Sequence, residues 1–417
     1  MAYVVALEKA PVQHLDALRG VAIFLAAFAV LISRHPSALF HPHFLAEDGS
    51  LWFADAYNHH WWRMLFCAYR GYLHLIPRIG GALAQLVPLR QAPLVESLIA
   101  IAMHALPAPI LLSPRLSPWG SVRFRAALAA LYLCLPDMQG VIGCLATVQW
   151  PLALCSLLLL TSEVPNSRSG RWTEGASLGC WALTGPFSIF LAPMAVFLAW
   201  RTPHRWRYCR AATLSLGACA QVAALLTHSV QRVPPPLGAS FRLLARILSQ
   251  VYLSALLGAS LVTSHLSLTA IACIAVAGTA ILLLAVWILP TGMRLMILLS
   301  ALIVASLLAS PSALLAPGQP AWPAIAAWPG SYYWMLPSLS LLWSLAWFIR
   351  SGRQSLQVLG FFVLPLLLIG LARDYRIAAI PDAGFTAAVT RFEAAPAGSV
   401  VVIPGYPSWF EIRLKKH

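Results

Sequence analysis

Only one adjacent pair of acidic side chains, Glu47-Asp48, occurs among the 13 Asp and Glu residues of this 417-residue chain. The pair follows the first long apolar run, which ends near Ile32. A carboxylate held beside a substrate can accept a proton from a hydroxyl group as a general base. Because carboxylates are so scarce, Glu47 and Asp48 are the leading candidates for such a base.

Basic and aromatic side chains are concentrated around this pair. Arg70, His74 and Arg78 come soon after it, and arginine binds phosphate oxygens through paired hydrogen bonds. Aromatic rings can stack on sugar faces or hold a lipid chain at an interface. The pattern predicts a catalytic, anion-binding site, which we expect to be lined by His43, Trp52 and Tyr72. Further along the chain, Gln149 and Trp150 either line the same site or make an ordinary helix–helix contact.

A plainer interpretation of the same segment stays open. Asp48 can be the N-cap of a helix that begins at Gly49. The aromatic residues can form an interfacial belt, and the histidines can be ordinary surface groups.

The elements that hold these residues must be largely membrane-embedded. The chain is 60% hydrophobic and 10% charged, with a mean hydropathy of +0.76, which excludes an ordinary soluble protein and a disordered one. The net charge of +15 comes from short basic clusters between apolar runs, as in cytoplasmic loops, so we expect no nucleic-acid partner. The eight cysteines form no CxxC pair and read as small buried hydrophobes.

Apolar runs predict an all-α polytopic membrane protein of about ten transmembrane helices. The first runs from about Leu15 to Ile32, and Thr184-Gly185-Pro186 splits the run at 175–200 into two halves. The remaining candidate runs are 73–89, 93–113, 125–136, 141–162, 211–228, 241–262, 265–289, 295–315, 332–349 and 355–371. We expect that the runs 73–89 and 241–262 do not both cross the membrane fully.

Arginine clusters, such as the one at 201–210, predict the orientation. They place the N-terminus inside, and the loop 33–72 and the C-terminal tail outside. We expect the membrane to be the bacterial inner (cytoplasmic) membrane. We expect residues 1–372 to form the transmembrane bundle with its outer loop. Residues 373–417 would be a small extracytoplasmic α/β segment, in which 399–403 and 409–414 pair as a β-hairpin.

Several short motifs carry a resemblance to a known family. They are Phe44-Leu45-Ala46-Glu47-Asp48-Gly49, Gly71-Tyr72-Leu73-His74-Leu75-Ile76-Pro77-Arg78, Thr147-Val148-Gln149-Trp150-Pro151, Thr184-Gly185-Pro186-Phe187-Ser188 and Tyr332-Tyr333-Trp334-Met335-Leu336-Pro337. With this layout the chain resembles the GT-C superfamily of integral-membrane glycosyltransferases, which use polyprenyl-phosphate-linked sugars.

The resemblance implies a function. A sugar would pass from a polyprenyl-phosphate donor to an outer-face glycan, glycolipid or protein, with inversion at the anomeric carbon. The acid after the first span would be the general base, with or without a divalent metal, and it corresponds to Asp48, our preference, or to Glu47. Tyr332 and Tyr333 would line the substrate site. No basic residue lies in 332–337, so Arg70, Arg78 and His74 would hold the donor phosphate.

Two other function classes remain as alternatives. A transporter or flippase for a lipid-linked or anionic substrate would use the break at Gly185-Pro186 and the intramembrane residues Glu96 and His104. The opening His14-Leu15-Asp16-Ala17-Leu18-Arg19-Gly20 is similar to that of membrane acyltransferases that act on sugars, with His35 as the catalytic histidine. The motif also fits a simple Asp16–Arg19 pair at the flank of a span.

Overall fold

The computed structural model describes residues 2–227, 236–259, 266–309, 318–327, 332–382 and 384–417, and only the backbone of residues 2–16. The described chain is mostly helical, with one small sheet near its end. The first half contains α1 Ala2–Arg34, α2 Ser37–Phe40, α3 Ala54–Asn58, α4 Trp61–Met64, α5 Leu75–Leu83, α6 Ala92–Ala105, α7 Pro107–Leu112, α8 Val122–Leu133, α9 Gln149–Thr161 and α10 Arg168–Ala182.

The second half continues in the same style and closes with two strands. It contains α11 Phe187–Arg201, α12 Arg205–Thr227, α13 Phe241–Leu257, α14 Leu268–Ile288, α15 Thr291–Ala309, α16 Ala321–Ala327, α17 Met335–Arg350, α18 Gln354–Val363, α19 Leu367–Asp374, α20 Phe385–Ala394, β1 Val400–Pro404 and β2 Glu411–Lys415. A π-helix, Asp48–Phe53, precedes α3.

Within the described residues, six helical segments are long and apolar enough to cross a membrane. They are Ala17–Arg34, Leu89–Leu112, Arg205–Thr227, Leu268–Ile288, Thr291–Ala309 and Gln354–Asp374. This is consistent with a multi-pass membrane protein. The predicted total of about ten spans is not confirmed, because other apolar helices, such as α9, α11 and α17, have only 13 to 16 residues.

Helices α9 and α17 lie in the centre of the bundle, where nearly all of their side chains are buried. The indole of Trp343 on α17 meets that of Trp119 edge to face, with ring centroids 5.7 Å apart. Its Nε1 donates a hydrogen bond to the Leu128 carbonyl over 3.1 Å. A buried indole needs such a partner for its N–H group, so Trp343 fixes α17 against α8.

The break predicted at Thr184–Pro186 is confirmed, since α10 ends at Ala182 and α11 begins at Phe187. The interruption frees backbone groups, which must find partners in a buried region. The segment before α5 supplies some of them: Leu75 N donates to Leu183 O (3.0 Å) and Gly185 N to Leu73 O (2.8 Å). Gln221, fully buried on α12, accepts from Leu73 N and donates to Gly185 O.

The predicted C-terminal hairpin is also confirmed. Strands β1 and β2 are antiparallel, with Ile403 opposite Ile412 and Val401 opposite Leu414. Ile403, Ile412 and Leu414 are fully buried. A two-stranded hairpin is barely stable alone, and this one shares a core with α20 and with residues of the loop 33–72, including Phe44 and Phe53.

Glu174 on α10 is the centre of a buried ion cluster. Its carboxylate pairs with the guanidinium groups of Arg115 and Arg210, the second at 2.6 Å. Trp206 Nε1 donates to the same carboxylate over 2.7 Å. Ser162, between α9 and α10, is held by both arginines. The cluster therefore connects α10 and α12 to the residue that follows α9 and to the turn at Pro114–Trp119.

A second buried carboxyl group, Asp137, lies in the connection after α8. Asp374 Oδ2 at the end of α19 accepts a hydrogen bond from the Asp137 backbone N–H over 3.3 Å. Among the described residues Asp137 Oδ2 has no hydrogen-bond partner. Burial, and to a smaller extent the nearby Asp374 carboxylate, raise the pKa of Asp137 to about 7.

This raised pKa predicts a stability that falls with rising pH. The folded protein holds the Asp137 proton more tightly than the unfolded chain, where the pKa is about 3.9. The stabilisation is complete below pH 4 and is lost as the pH rises through 7. At pH 8, Asp137→Asn should therefore raise the free energy of unfolding by about 1–3 kcal/mol, and the unfolding midpoint with it. At pH 4 the substitution should leave both unchanged. Asn also tolerates the left-handed backbone at this position (φ 58°).

Thermal unfolding of the purified protein in detergent at several pH values measures the effect. The exposed acid Glu393 offers a control, and Glu393→Gln should leave the pH profile unchanged. Identical profiles for wild type and Asp137→Asn would contradict the prediction.

Candidate functional site

A cavity of about 710 Å³ lies between the loop 33–72, the segment 140–150, α16, the turn before α17, and the C-terminal hairpin turn. Its lining is largely aromatic and apolar, with a few polar groups, which is typical of small-molecule sites. The lining residues are Ala46, Glu47, Trp52, Tyr69, Arg70, Tyr72, His74, Gly140, Cys144, Ala146, Thr147, Gln149, Trp150, Gln319, Ala324, Ile325, Tyr332, Tyr333 and Trp409.

Of these described lining residues, Glu47 alone carries a carboxylate. Its side chain is half-buried, and its Oε1 accepts a hydrogen bond from the Tyr69 hydroxyl over 3.2 Å. Arg70 Nε in turn donates to the Tyr69 hydroxyl oxygen over 3.3 Å. A carboxylate and a guanidinium group are thus joined through one phenol at the cavity wall.

Asp48, the next residue, points away from the cavity into the protein. It is 1% exposed, and its two carboxyl oxygens accept hydrogen bonds from Leu145 N (2.7 Å) and Ala146 N (3.0 Å). Burial raises the pKa of Asp48 to about 8, against the lowering by these two amides, and Glu47 adds to the rise. Asp48 therefore fastens the segment 144–147, which lines the cavity, to the loop that carries Glu47.

The packing of α5 explains how this loop is held. The π-helix that begins at Asp48 lies directly against α5, where a Cβ on Gly81 would come within 2.5 Å of the Trp52 backbone. Only glycine allows such a close approach of two backbones. Trp52 is buried as a result, and its ring faces His74 with centroids 5.0 Å apart.

Aromatic rings form two walls of the cavity. On one side His74 lies among the rings of Trp52, Tyr69 and Tyr72, the last at 4.8 Å. Neither ring nitrogen of His74 has a hydrogen-bond partner among the described residues. On the other side, three rings pack together, with centroid separations of 4.5 to 5.8 Å; they are Trp150, Tyr332 and Tyr333.

Gln149, at the start of α9, is placed by the helix break. Gly185 has a φ of 81°, and a Cβ there would lie 2.1 Å from Gln149 Oε1. A left-handed glycine is therefore needed for the amide to occupy this position. The Gln149 Nε2 atom donates a hydrogen bond to Ala146 O over 3.2 Å. Gln149 therefore lies between the helix break at Gly185 and the segment 144–147 that Asp48 holds.

Besides Asp48, two residues predicted for the site, Arg78 and His43, lie outside the described lining. Arg78 is buried, pairs with Asp55 at 2.5 Å, and stacks over Trp52 at 4.9 Å. His43 packs against Phe385, with ring centroids 5.8 Å apart. The lining residues that were not predicted from the sequence include Tyr69, Gln319 and Trp409. The position of Tyr69 next to Arg70 could have indicated that it belongs to the site. No feature of the sequence predicted that Trp409 lines this cavity.

The described side chains of the two alternative functions are not among the described lining residues of the cavity. Glu96 and His104 are buried in α6, outside the described lining of the cavity. His35 is buried and bonded through Nδ1 to Ile142 O (2.8 Å). Arg19 is exposed on α1. The side chains of His14 and Asp16 lie outside the described residues.

The part of the chain that the structure describes contains no group of three or more His, Cys, Asp or Glu side chains that could hold a metal ion. Among the described lining residues, a divalent metal in the cavity would meet one carboxylate, that of Glu47. Comparison of the chain with protein-family models, with curated proteins and with solved structures finds no match.

Proposed function

We propose that the protein is a membrane glycosyltransferase that moves a sugar from a polyprenyl-phosphate donor to an acceptor hydroxyl. The observation that carries the proposal is the joined set Glu47–Tyr69–Arg70 at the wall of an aromatic cavity. It offers a proton acceptor and a phosphate-binding cation beside faces suited to a sugar ring. The acceptor would be a glycan, glycolipid or protein on the outer face of the membrane.

Glu47 takes the role of general base in this proposal. Its carboxylate accepts the proton of the acceptor hydroxyl as the oxygen forms its bond to the anomeric carbon. The bond between that carbon and the phosphate oxygen breaks, and polyprenyl phosphate leaves with the electron pair. Because attack and departure occur on opposite faces, the anomeric configuration inverts. The proton on Glu47 then passes to water.

Charge at the leaving group is the other requirement. Arg70 would bind the phosphate oxygens and stabilise the negative charge that grows on them. Arg78 would act through its neighbours, since its pairing with Asp55 and its stacking on Trp52 hold the aromatic wall. The lipid tail would lie among the apolar helices.

The direct test is to incubate the purified protein in liposomes with polyprenyl-phosphate hexoses radiolabelled in the sugar. We expect label to move to a membrane glycan, glycolipid or protein fraction, with release of polyprenyl phosphate and with no use of nucleotide sugars. Movement of intact donor across the bilayer without bond cleavage would contradict the proposal and favour a transporter. Transfer of acyl groups in place of sugars would favour an acyltransferase.

Replacing Arg70 with Ala should weaken donor binding. A charge-assisted hydrogen bond contributes about 1.5–3 kcal/mol, so we expect the apparent KM for the donor to rise about 10- to 100-fold. Arg70→Lys should lie between the two, because lysine keeps the charge but loses the paired geometry. The exposed Arg90 is the control position. A donor KM that is equal in Arg70→Ala and Arg90→Ala would remove Arg70 from the phosphate site.

A further inference from the structure

We propose that Trp409, at the turn of the C-terminal hairpin, is the platform of a carbohydrate-binding subsite for the acceptor at the mouth of the cavity. That the bound sugar is the acceptor rests on the proposed function, but the subsite itself rests on geometry. Trp409 lines the cavity and is nevertheless 72% exposed. A large indole face is thus open at the edge of a site that contains a carboxylate.

The indole is fixed relative to Glu47 through the backbone. Tyr406 N donates to Phe44 O over 3.0 Å, and Ala46 N donates to Tyr406 O over 2.7 Å. The hairpin turn is therefore bonded to the residues directly before Glu47. Within the turn, Gly405 N donates to Phe410 O (2.8 Å). These bonds make the turn and the carboxylate loop one unit, so a ring that stacks on Trp409 is held at a defined place near Glu47.

Trp409 differs in its position from several other exposed tryptophans of the chain. Other exposed tryptophans, including Trp172, Trp200 and Trp287, lie on the bundle helices α10, α11 and α14. Trp409 lies on a hairpin turn outside the six candidate spans. Tryptophan offers a large, rigid, amphipathic face at a small entropic cost, which suits the C–H face of a sugar ring.

The turn is less suited to a peptide. An extended peptide binds a sheet by pairing with a free row of backbone N–H and C=O groups at its edge. Here the cavity meets the end of the hairpin, where the N–H groups of Gly405, Tyr406 and Phe410 already donate within the protein. Recognition at this point therefore depends on the side-chain face, and a stacked pyranose is the occupant that this arrangement favours.

Binding and turnover together test the subsite. Methyl hexopyranosides, titrated into the full-length protein in detergent while intrinsic tryptophan fluorescence is followed, should bind wild type about tenfold more tightly than Trp409→Ala. Trp409→Phe should keep most of the affinity. Trp172→Ala, which removes an equally exposed indole away from the cavity, should match wild type. In transfer assays with the same glycosides as acceptors, Trp409→Ala should raise the acceptor KM about tenfold and leave the donor KM unchanged.

The outcomes separate the two proposals. Glycoside binding that depends on Trp409, with no sugar transfer by wild type, would reject the glycosyltransferase and keep a carbohydrate site. Sugar transfer with equal acceptor KM and equal glycoside affinity in wild type and Trp409→Ala would overturn the subsite alone. Competition by unglycosylated peptides in place of the glycosides would overturn the sugar specificity. Because Trp409 is exposed, we expect both variants at this position to fold normally.

Discussion

Glu47→Gln is expected to lower kcat for sugar transfer about 10²- to 10⁴-fold, the usual contribution of a general base. Glutamine keeps the size of the side chain and can still accept the Tyr69 hydrogen bond, but it cannot take up a proton. Donor affinity should change little, because the phosphate is assigned to Arg70. Initial rates in liposomes at saturating donor measure the effect, with donor binding measured separately.

Glu411→Gln is the matched control, because it makes the same chemical change at an exposed strand position, and it should leave kcat unaltered. Asp48→Asn tests the neighbouring carboxyl group. In Asp48 each carboxyl oxygen accepts one hydrogen bond, from Leu145 N or from Ala146 N, but asparagine has only one oxygen. One of the two N–H groups would lose its acceptor, so this variant should lower thermal stability as well as activity. A fully active Glu47→Gln protein would remove Glu47 as the base.

Glu174→Gln is expected to have the largest effect on stability, a loss of about 3–5 kcal/mol. Burial alone would raise the pKa of the Glu174 carboxyl group, but Arg210 and Arg115 lower it below its usual value. The carboxylate is therefore charged in the folded protein, and its contribution is lost only as the pH falls through the acidic range. Neutralising it leaves the guanidinium group of Arg210, 2% exposed, without its counter-ion.

Thermal unfolding in detergent at neutral pH measures this loss, and helices α10 and α12 should be the first to gain hydrogen exchange. The neighbouring Glu163 is exposed, and Glu163→Gln should change stability by less than about 0.5 kcal/mol. An unfolding midpoint for Glu174→Gln that equals that of Glu163→Gln would show that the cluster does not hold these helices together.

Local patterns in the sequence were sufficient for several parts of this fold. The apolar run at 399–403, stopped by Pro404-Gly405 and followed by 409–414, predicted the hairpin, and Thr184-Gly185-Pro186 predicted the helix break. The span count was harder to predict, because breaks and short helices such as α9 and α17 depend on neighbours that cover their backbone.

The site was predictable by region rather than by orientation. Composition directed the search to Glu47 and Asp48 and to the loop 33–72 around them. Glu47, Trp52, Arg70, Tyr72 and His74 line the cavity, whereas His43, Asp48 and Arg78 do not. Which of Glu47 and Asp48 faces the cavity depends on the amides of Leu145 and Ala146, nearly a hundred positions later. The pairing of Arg78 with Asp55 and the placement of Trp409 depend likewise on tertiary contacts that no local pattern encodes.

The bonds between the hairpin turn and the Phe44–Ala46 segment also set an order of assembly. During translation the carboxylate loop is made well before Tyr406, its pairing partner, because the two are separated by most of the helices. The helices between them can insert and pack before the two meet. The geometry around Glu47 is therefore completed only after the hairpin turn has been made, and a chain that lacks the hairpin would contain its helices without a finished site.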